Sequence, residues 1–340
     1  LRYWRSVRWG YLSIGWDAGN PMSSLIESDL KDVLSHWEVG DVRAIEPVQA
    51  DTVFKVTTRE RSFILKDIST KWPSERYEFI HEVLTHVAMQ GMKVDVPMRN
   101  EMGQVITELR DCRYILSGFL ETSRKPTLPD QSRELFHNVG SAIADFHLAL
   151  RSYEDENLTR KTWRENLPGP LNRDAQIELG LSDRQVSTLI EVRRMREADF
   201  RQAQKGLPEQ LIHRDCHLGN VIVDGVQVIG FVDCDHLCIG SPIEDVAYFF
   251  SDLPWIPKRV LELRDWLAHI PVLLDGYHRR RALSEREIAV FPYMVMDWLM
   301  AFSGYHASLK EFETTASHLQ TLVWINDHFD EVLRITQGSV

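Results

Sequence analysis

Apolar residues recur at Leu25, Ile26, Leu30, Val33 and Leu34, a helical period that predicts a first helix over 24–37. The period then changes. Short runs rich in Val, Ile, Phe and Thr over 42–48, 52–58 and 61–68 predict three antiparallel strands with tight connections. In the third run Phe63 and Leu65 alternate with Ile64 and Lys66. A helical pattern returns over 75–90 and breaks at 94–97, because proline disfavours helix in the residue before it. Two more strands are predicted over 105–108 and 112–120. Beyond a Pro-, Ser- and Lys-rich stretch at 122–130 the pattern is helical, over about 130–151, 183–205, 258–281, 284–303 and 312–333. The strand signals there are 210–212, 221–223 and 226–232, the last two flanking Asp224-Gly225, a hairpin signal.

This order predicts an α+β chain of two lobes, a β-rich one over 22–121 and a mostly helical one over 122–340, with 1–21 a non-native or flexible extension. A chain of 340 residues is long for one core and suits two lobes sharing a cleft. Composition narrows the classes. An apolar share of 44% supports a packed interior, and a net charge of −11 argues against general nucleic-acid binding. Four Cys are too few for a disulfide framework and point to a reducing, cytoplasmic setting. No apolar run approaches the roughly 20 residues that span a bilayer, so no membrane association is expected. Arg2, Arg5 and Arg8 interrupt the aromatic start, which is unlike a signal peptide, and the first Met is Met22.

Chemistry concentrates at His213-Arg214-Asp215, Asn220 and Asp233. The spacing matches the kinase catalytic loop H-R-D-x-x-x-x-N followed by a metal-binding Asp. Phosphoryl transfer needs a carboxylate beside the attacking hydroxyl, and an amide oxygen with a second carboxylate to hold Mg²⁺ against the phosphates. Asp215 fits the base, and Asn220 and Asp233 fit the metal ligands. In the first lobe Lys66 ends a strand, where it can reach the phosphates if a helix carboxylate steers it. Glu78 is the favoured partner; Glu82, one turn on, is the other.

The stretches Leu211-Ile-His-Arg-Asp-Cys-His-Leu-Gly-Asn-Val-Ile-Val, Gly230-Phe-Val-Asp-Cys-Asp and Ser241-Pro-Ile-Glu-Asp-Val-Ala resemble the aminoglycoside phosphotransferase and choline kinase family, which includes homoserine-kinase-like and spore-coat-associated kinase homologues. The resemblance covers about residues 25–335. It implies a two-lobed protein-kinase-like fold, ATP with Mg²⁺, and transfer of the γ-phosphate to a small-molecule hydroxyl. It implies Asp215 as base, Asn220 and Asp233 as metal ligands, Lys66 as phosphate contact and Asp245 as support for the loop. It also implies Gly118, Phe119 and Leu120 as the hinge whose backbone meets the adenine.

Two departures from protein kinases matter. The turn at 49–52, Gln-Ala-Asp-Thr, has no glycine, which leaves GTP open beside ATP. Only about ten residues separate Asp233 from the next helix, near Glu244, with no D-F-G and no A-P-E, so a small acceptor is favoured over a peptide. An amino sugar, an amino alcohol or an amino acid would suit. The alternatives are a protein Ser/Thr kinase on the same fold and a non-catalytic nucleotide-binding protein. A metal hydrolase built on His213, Asp215 and His217 would leave Asn220, Asp233 and Lys66 without roles. Cys234, His236 and Cys238 lack zinc-site spacing. His147 reads as a buried, hydrogen-bonded histidine. Asp252, Asp265, Asp275, Asp297 and Asp327 read as solvated helix positions, the alternative being an acidic pocket for a cationic acceptor, and Tyr293, Trp298, Phe302 and Tyr305 as core, the alternative being an aromatic cage for a quaternary amine.

Overall fold

The structure, a computed structural model, describes residues 24–49, 52–69, 71–109, 111–123, 132–155, 182–252, 263–308 and 310–339. The expectations for 1–21, for residues 50–51 of the glycine-free turn and for most of the 122–130 stretch lie outside these residues. The chain divides into two compact units, one running to Glu121 and including Gly230–Asp235, the other comprising Thr122–Ile229 and the residues from His236 onward.

The first unit carries helices α1 (Ser24–Leu34) and α2 (Ser74–Met89) and five strands, β1 (Val42–Gln49), β2 (Val53–Thr58), β3 (Ser62–Asp67), β4 (Thr107–Leu109) and β5 (Cys112–Gly118). They form one antiparallel sheet in the order β1-β2-β3-β5-β4. Alternation along β2 buries Phe54 and Val56, which pair across the ladder with Leu65 and Phe63. These residues and Leu116 pack with Leu30, Val33, Leu34 and Trp37 into a core on one face. Since successive strand residues point to opposite faces, Ile64 and Lys66 turn to the other side, and both are buried there. The segment Gly230–Asp235 enters through a parallel bridge between Val94 and Phe231. Its backbone runs so close that a Cβ on Gly230 would lie 2.2 Å from the Lys93 carbonyl oxygen, which only glycine tolerates. This contact brings residue 95 beside residue 233.

The second unit holds α3 (Ser132–Arg151), α4 (Asp183–Ala203), α5 (Pro242–Asp252), α6 (Leu263–Leu267), α7 (Ile270–Arg280), α8 (Glu285–Ser308), α9 (Phe312–Asp327) and α10 (Phe329–Gln337). Two short ladders frame the catalytic loop: β6 (Gln210–Ile212) with β9 (Cys238–Gly240), and β7 (Val221–Asp224) with β8 (Gln227–Phe231). The second turns at Gly225, which has φ 65°, as the Asp-Gly signal predicts. α4 opens on a reciprocal cap between Ser182 and Gln185. α3 and α7 cross at two glycines: a Cβ on Gly140 or Gly276 would lie 2.1 Å from the carbonyl oxygen of Leu273 or His137.

Three expectations change. The predicted helix at 258–281 is interrupted between α6 and α7, because Pro271 has no N–H for the Leu267 carbonyl and its ring crowds that turn. The three-residue β9 is too short to show a period. One helix, Glu285–Ala307, is long and apolar enough to cross a membrane by length and mean hydropathy alone, contrary to the expectation that no run approaches this; its most apolar stretch is mostly buried, as in the core helix of a bundle.

Candidate active site

In the second unit one face of α5 meets the loop 213–220 along its length. Asp245, Tyr248 and Asp252 stand at i, i+3 and i+7, so a single helical stripe presents all three. Asp245 accepts the backbone N–H groups of His213 at 2.7 Å and Arg214 at 2.8 Å. It also meets His147 Nε2 at 2.9 Å, and His147 Nδ1 meets the Tyr277 hydroxyl at 2.7 Å. Burial opposes the charge on Asp245, yet the His147 and His213 contacts outweigh it and hold the carboxyl below the usual range. His147 is thus the buried, bonded histidine expected.

Asp215 is buried, and both carboxylate oxygens are engaged. Oδ1 accepts the Tyr248 hydroxyl at 2.5 Å, and Oδ2 accepts Asn220 Nδ2 at 3.0 Å. The same Nδ2 donates to the Asp215 carbonyl at 2.9 Å, which orients the amide and leaves Asn220 Oδ1 out of both bonds. Arg214 stands at φ 70°, 2.8 Å from Glu244 and with its guanidinium over the Trp298 ring at 4.8 Å. Asp252 takes the Leu218 N–H; burial first, and then the Asp215 charge, push its carboxyl well above the usual range. His213 and His217 serve the loop itself, accepting the N–H groups of Asp215 and Gly219 at 3.3 and 3.0 Å. Among the described residues no three His, Cys, Asp or Glu side chains converge on a metal site, and the four cysteines are unbridged.

The first unit holds the second group. Lys66, 7% exposed, places Nζ 2.9 Å from Asp233, 3.5 Å from Asp95 and 3.9 Å from Asp235. Burial disfavours its charge, but the three carboxylates outweigh burial and hold its pKa well above the lysine range. Asp233 stands at φ 59°, and its N–H donates to Asp95 Oδ2 at 3.0 Å. Burial pushes the Asp95 carboxyl up to about 6, against the pull of Lys66. Asp235 also meets Lys71 at 3.2 Å, and its carbonyl accepts Arg76 Nη2 at 2.9 Å.

One assignment is corrected. Glu78 is not beside Lys66; it pairs with Arg99 at 3.1 Å, half exposed, and takes the Val105 N–H at 3.4 Å. The buried residues of α2 are Arg76, Tyr77, Phe79, Ile80, Val83, Leu84 and Val87; Glu78 is half-buried and not among them, and Glu82 is exposed. The lysine's carboxylates come from the 94–97 run and from 233–235 instead. At the end of β5, Gly118 pairs with Phe63, the Phe119 N–H donates to the Ser62 carbonyl at 3.1 Å, and the Leu120 side chain lies against Gly230.

Sequence reasoning missed Asp95, Tyr248 and Asp252. Asp95 has one local signal, an acid inside the apolar run 94–97. Tyr248 and Asp252 are readable once Asp245 fixes the phase of α5. Of the five helix aspartates read as solvated, Asp265 and Asp327 are exposed and Asp275 pairs with Arg279 at 2.8 Å, whereas Asp252 is buried and Asp297 half-buried. Trp298 and Phe302 are core residues, as expected, whereas Tyr293 and Tyr305 are only half-buried.

The family described as the phosphotransferase enzyme family matches residues 41–283. A homoserine kinase from Rhodopseudomonas palustris (strain BisB5) is 26% identical over 284 residues, spanning 81% of this chain and 82% of the relative. A structure of amicoumacin kinase hAmiN in complex with AMP-PNP, Ca2+ and Ami superposes with a TM-score of 0.66 at 17% identity, covering 91% of this chain and 94% of that one. A microcompartment-associated aminopropanol kinase superposes with a TM-score of 0.66 at 17% identity, over 91% and 99%.

Proposed function

The chain belongs to the phosphotransferase enzyme family, and from that premise we propose that it is an ATP-dependent kinase whose acceptor is a small amino alcohol or hydroxylated amino acid. The acceptor class rests on the relatives, a homoserine kinase and an aminopropanol kinase. The nucleotide rests on the AMP-PNP bound by the amicoumacin kinase. One observation within the chain carries the chemistry: Asp215 is fixed through both carboxylate oxygens on a loop that Asp245 tethers. A carboxylate so held presents one geometry to an incoming hydroxyl, which it orients and whose proton it accepts as the phosphoryl group arrives.

Lys66 takes the phosphates, and the backbone of Gly118, Phe119 and Leu120 takes the adenine. Each of the two residues expected to hold Mg²⁺, Asn220 in the second unit and Asp233 in the first, offers a hard oxygen donor of the kind that ion takes, and the Asp233 side chain is 40% exposed. When bound, the ion would offset charge on the transferred group. Between Asp233 and α5 stand only the 3₁₀ turn Cys234–His236 and β9, which leaves little platform for a peptide and supports a small acceptor.

The test is ADP release with homoserine, aminopropanol, amino sugars and a generic protein substrate. Turnover with a small amino alcohol or amino acid, lost in Asp215→Ala with ATP binding retained, is the expected result. Transfer to the protein substrate alone would overturn the acceptor class. Near-normal turnover by Asp215→Ala would overturn the assignment of the base.

A further inference from the structure

We propose that Asp95 is a positioning residue for nucleotide binding, holding the phosphate-facing Lys66 and fixing the backbone of the metal-facing Asp233 at the same time; this rests on the kinase reading above. One oxygen does both. Asp95 Oδ2 accepts the Asp233 N–H at 3.0 Å and lies 3.5 Å from Lys66 Nζ.

Each half answers a need that the rest of the unit leaves open. Asp233 is one of four non-glycine residues with positive φ among the described residues, at 59°, a conformation that side chains disfavour. An acceptor placed on its N–H holds it there. Lys66 needs a carboxylate that remains when Asp233 turns to a cation. Glu78 is engaged with Arg99. Asp235 is farther from Lys66, at 3.9 Å, and is shared with Lys71 at 3.2 Å. Asp95 is left. It is 8% exposed, and its second oxygen, Oδ1, is buried without a hydrogen-bond partner. A purely architectural acid would be expected to satisfy both oxygens, because an unmet buried acceptor is costly. The neighbouring contact, Phe231 N–H to the Lys93 carbonyl at 3.0 Å, already joins the two segments without it.

The test uses the full chain and reads ATP affinity by calorimetry, which needs no acceptor, together with the Mg²⁺ concentration that half-saturates ATP binding. Asp95→Asn keeps an oxygen for the Asp233 N–H and removes the charge facing Lys66. Its ATP Kd should rise about tenfold while the Mg²⁺ midpoint stays within about twofold. Asp95→Ala removes both and should raise the Kd and the Mg²⁺ midpoint together. If Asp95→Ala does not fold, Asp95→Asn alone decides. Wild-type ATP affinity in Asp95→Asn, or a lowered Tm with unchanged affinity and midpoint, would overturn the proposal while leaving the kinase reading intact. A wild-type chain that binds no ATP would overturn both.

Discussion

The Tyr248 hydroxyl donates to Oδ1 of Asp215 at 2.5 Å, so the group read as the base is oriented from a helix face and not by its loop alone. Tyr248 is itself wedged edge-on against Trp298 and Phe302, at centroid distances of 4.3 and 5.1 Å. Tyr248→Phe keeps that packing and deletes only the bond. We expect kcat to fall by roughly tenfold to a hundredfold, the scale of losing a bond to a charged group, with ATP Kd unchanged. Steady-state kinetics beside calorimetry check the split. An equal loss of ATP affinity would place the effect elsewhere.

Asp245 is the anchor of the loop, and removing it strands its partners. Asp245→Ala leaves two buried N–H groups and His147 without their acceptor, which should cost about 3–5 kcal/mol, the scale of breaking a buried charged network. The readout is the urea midpoint. A shift no larger than that of an exposed aspartate such as Asp327 would contradict the tether.

Asp297 gives a pH signature. Burial, aided by Glu244 and opposed by Arg214 and Arg193, pushes its carboxyl up to about 7. Its folded pKa lies above its unfolded value, so the group favours folding at low pH and loses that contribution as pH rises through 7. Asp297→Asn does not titrate. Its Tm relative to wild type should therefore climb between about pH 4 and about pH 7 and level off above. A flat or falling difference would refute the burial effect.

The crossing of α3 and α7 depends on absent side chains. Gly140→Ala or Gly276→Ala sets a methyl group against a fixed backbone carbonyl, and each should destabilise by about 1–3 kcal/mol. Gly338→Ala, whose nearest neighbour is 3.4 Å away, is the control and should change little. Thermal melts of all three suffice.

The parts of the site set by short chain separations were legible. His213 to Asn220 is one loop and Asp233 closes the next hairpin, so spacing alone carries them. The strands of the first unit were legible because alternation in β2 follows directly from burial of one face, and β3, buried on both faces, shows instead as a short apolar run. What sequence could not supply was the phase of an element against its neighbours. Glu78 fits a helix facing Lys66, but α2 buries the stripe through Tyr77 and Ile80 and turns Glu78 to Arg99. Asp95 reaches Asp233 only through the bridge between Val94 and Phe231, a pairing of distant segments that no local period encodes. The interruption at Pro271 was written in the sequence, in a residue whose missing N–H outweighs the apolar period around it.

Arg214 and Asp233, one on either side of the hairpin, both hold the left-handed backbone that an ordinary side chain resists. Glycine would relax either position, so selection for heat tolerance alone should drift toward it there. At 214 it would release the contacts to Glu244 and Trp298, and at 233 the carboxylate itself. Lineages adapted to high temperature should therefore keep these residues and gain their robustness elsewhere in the chain.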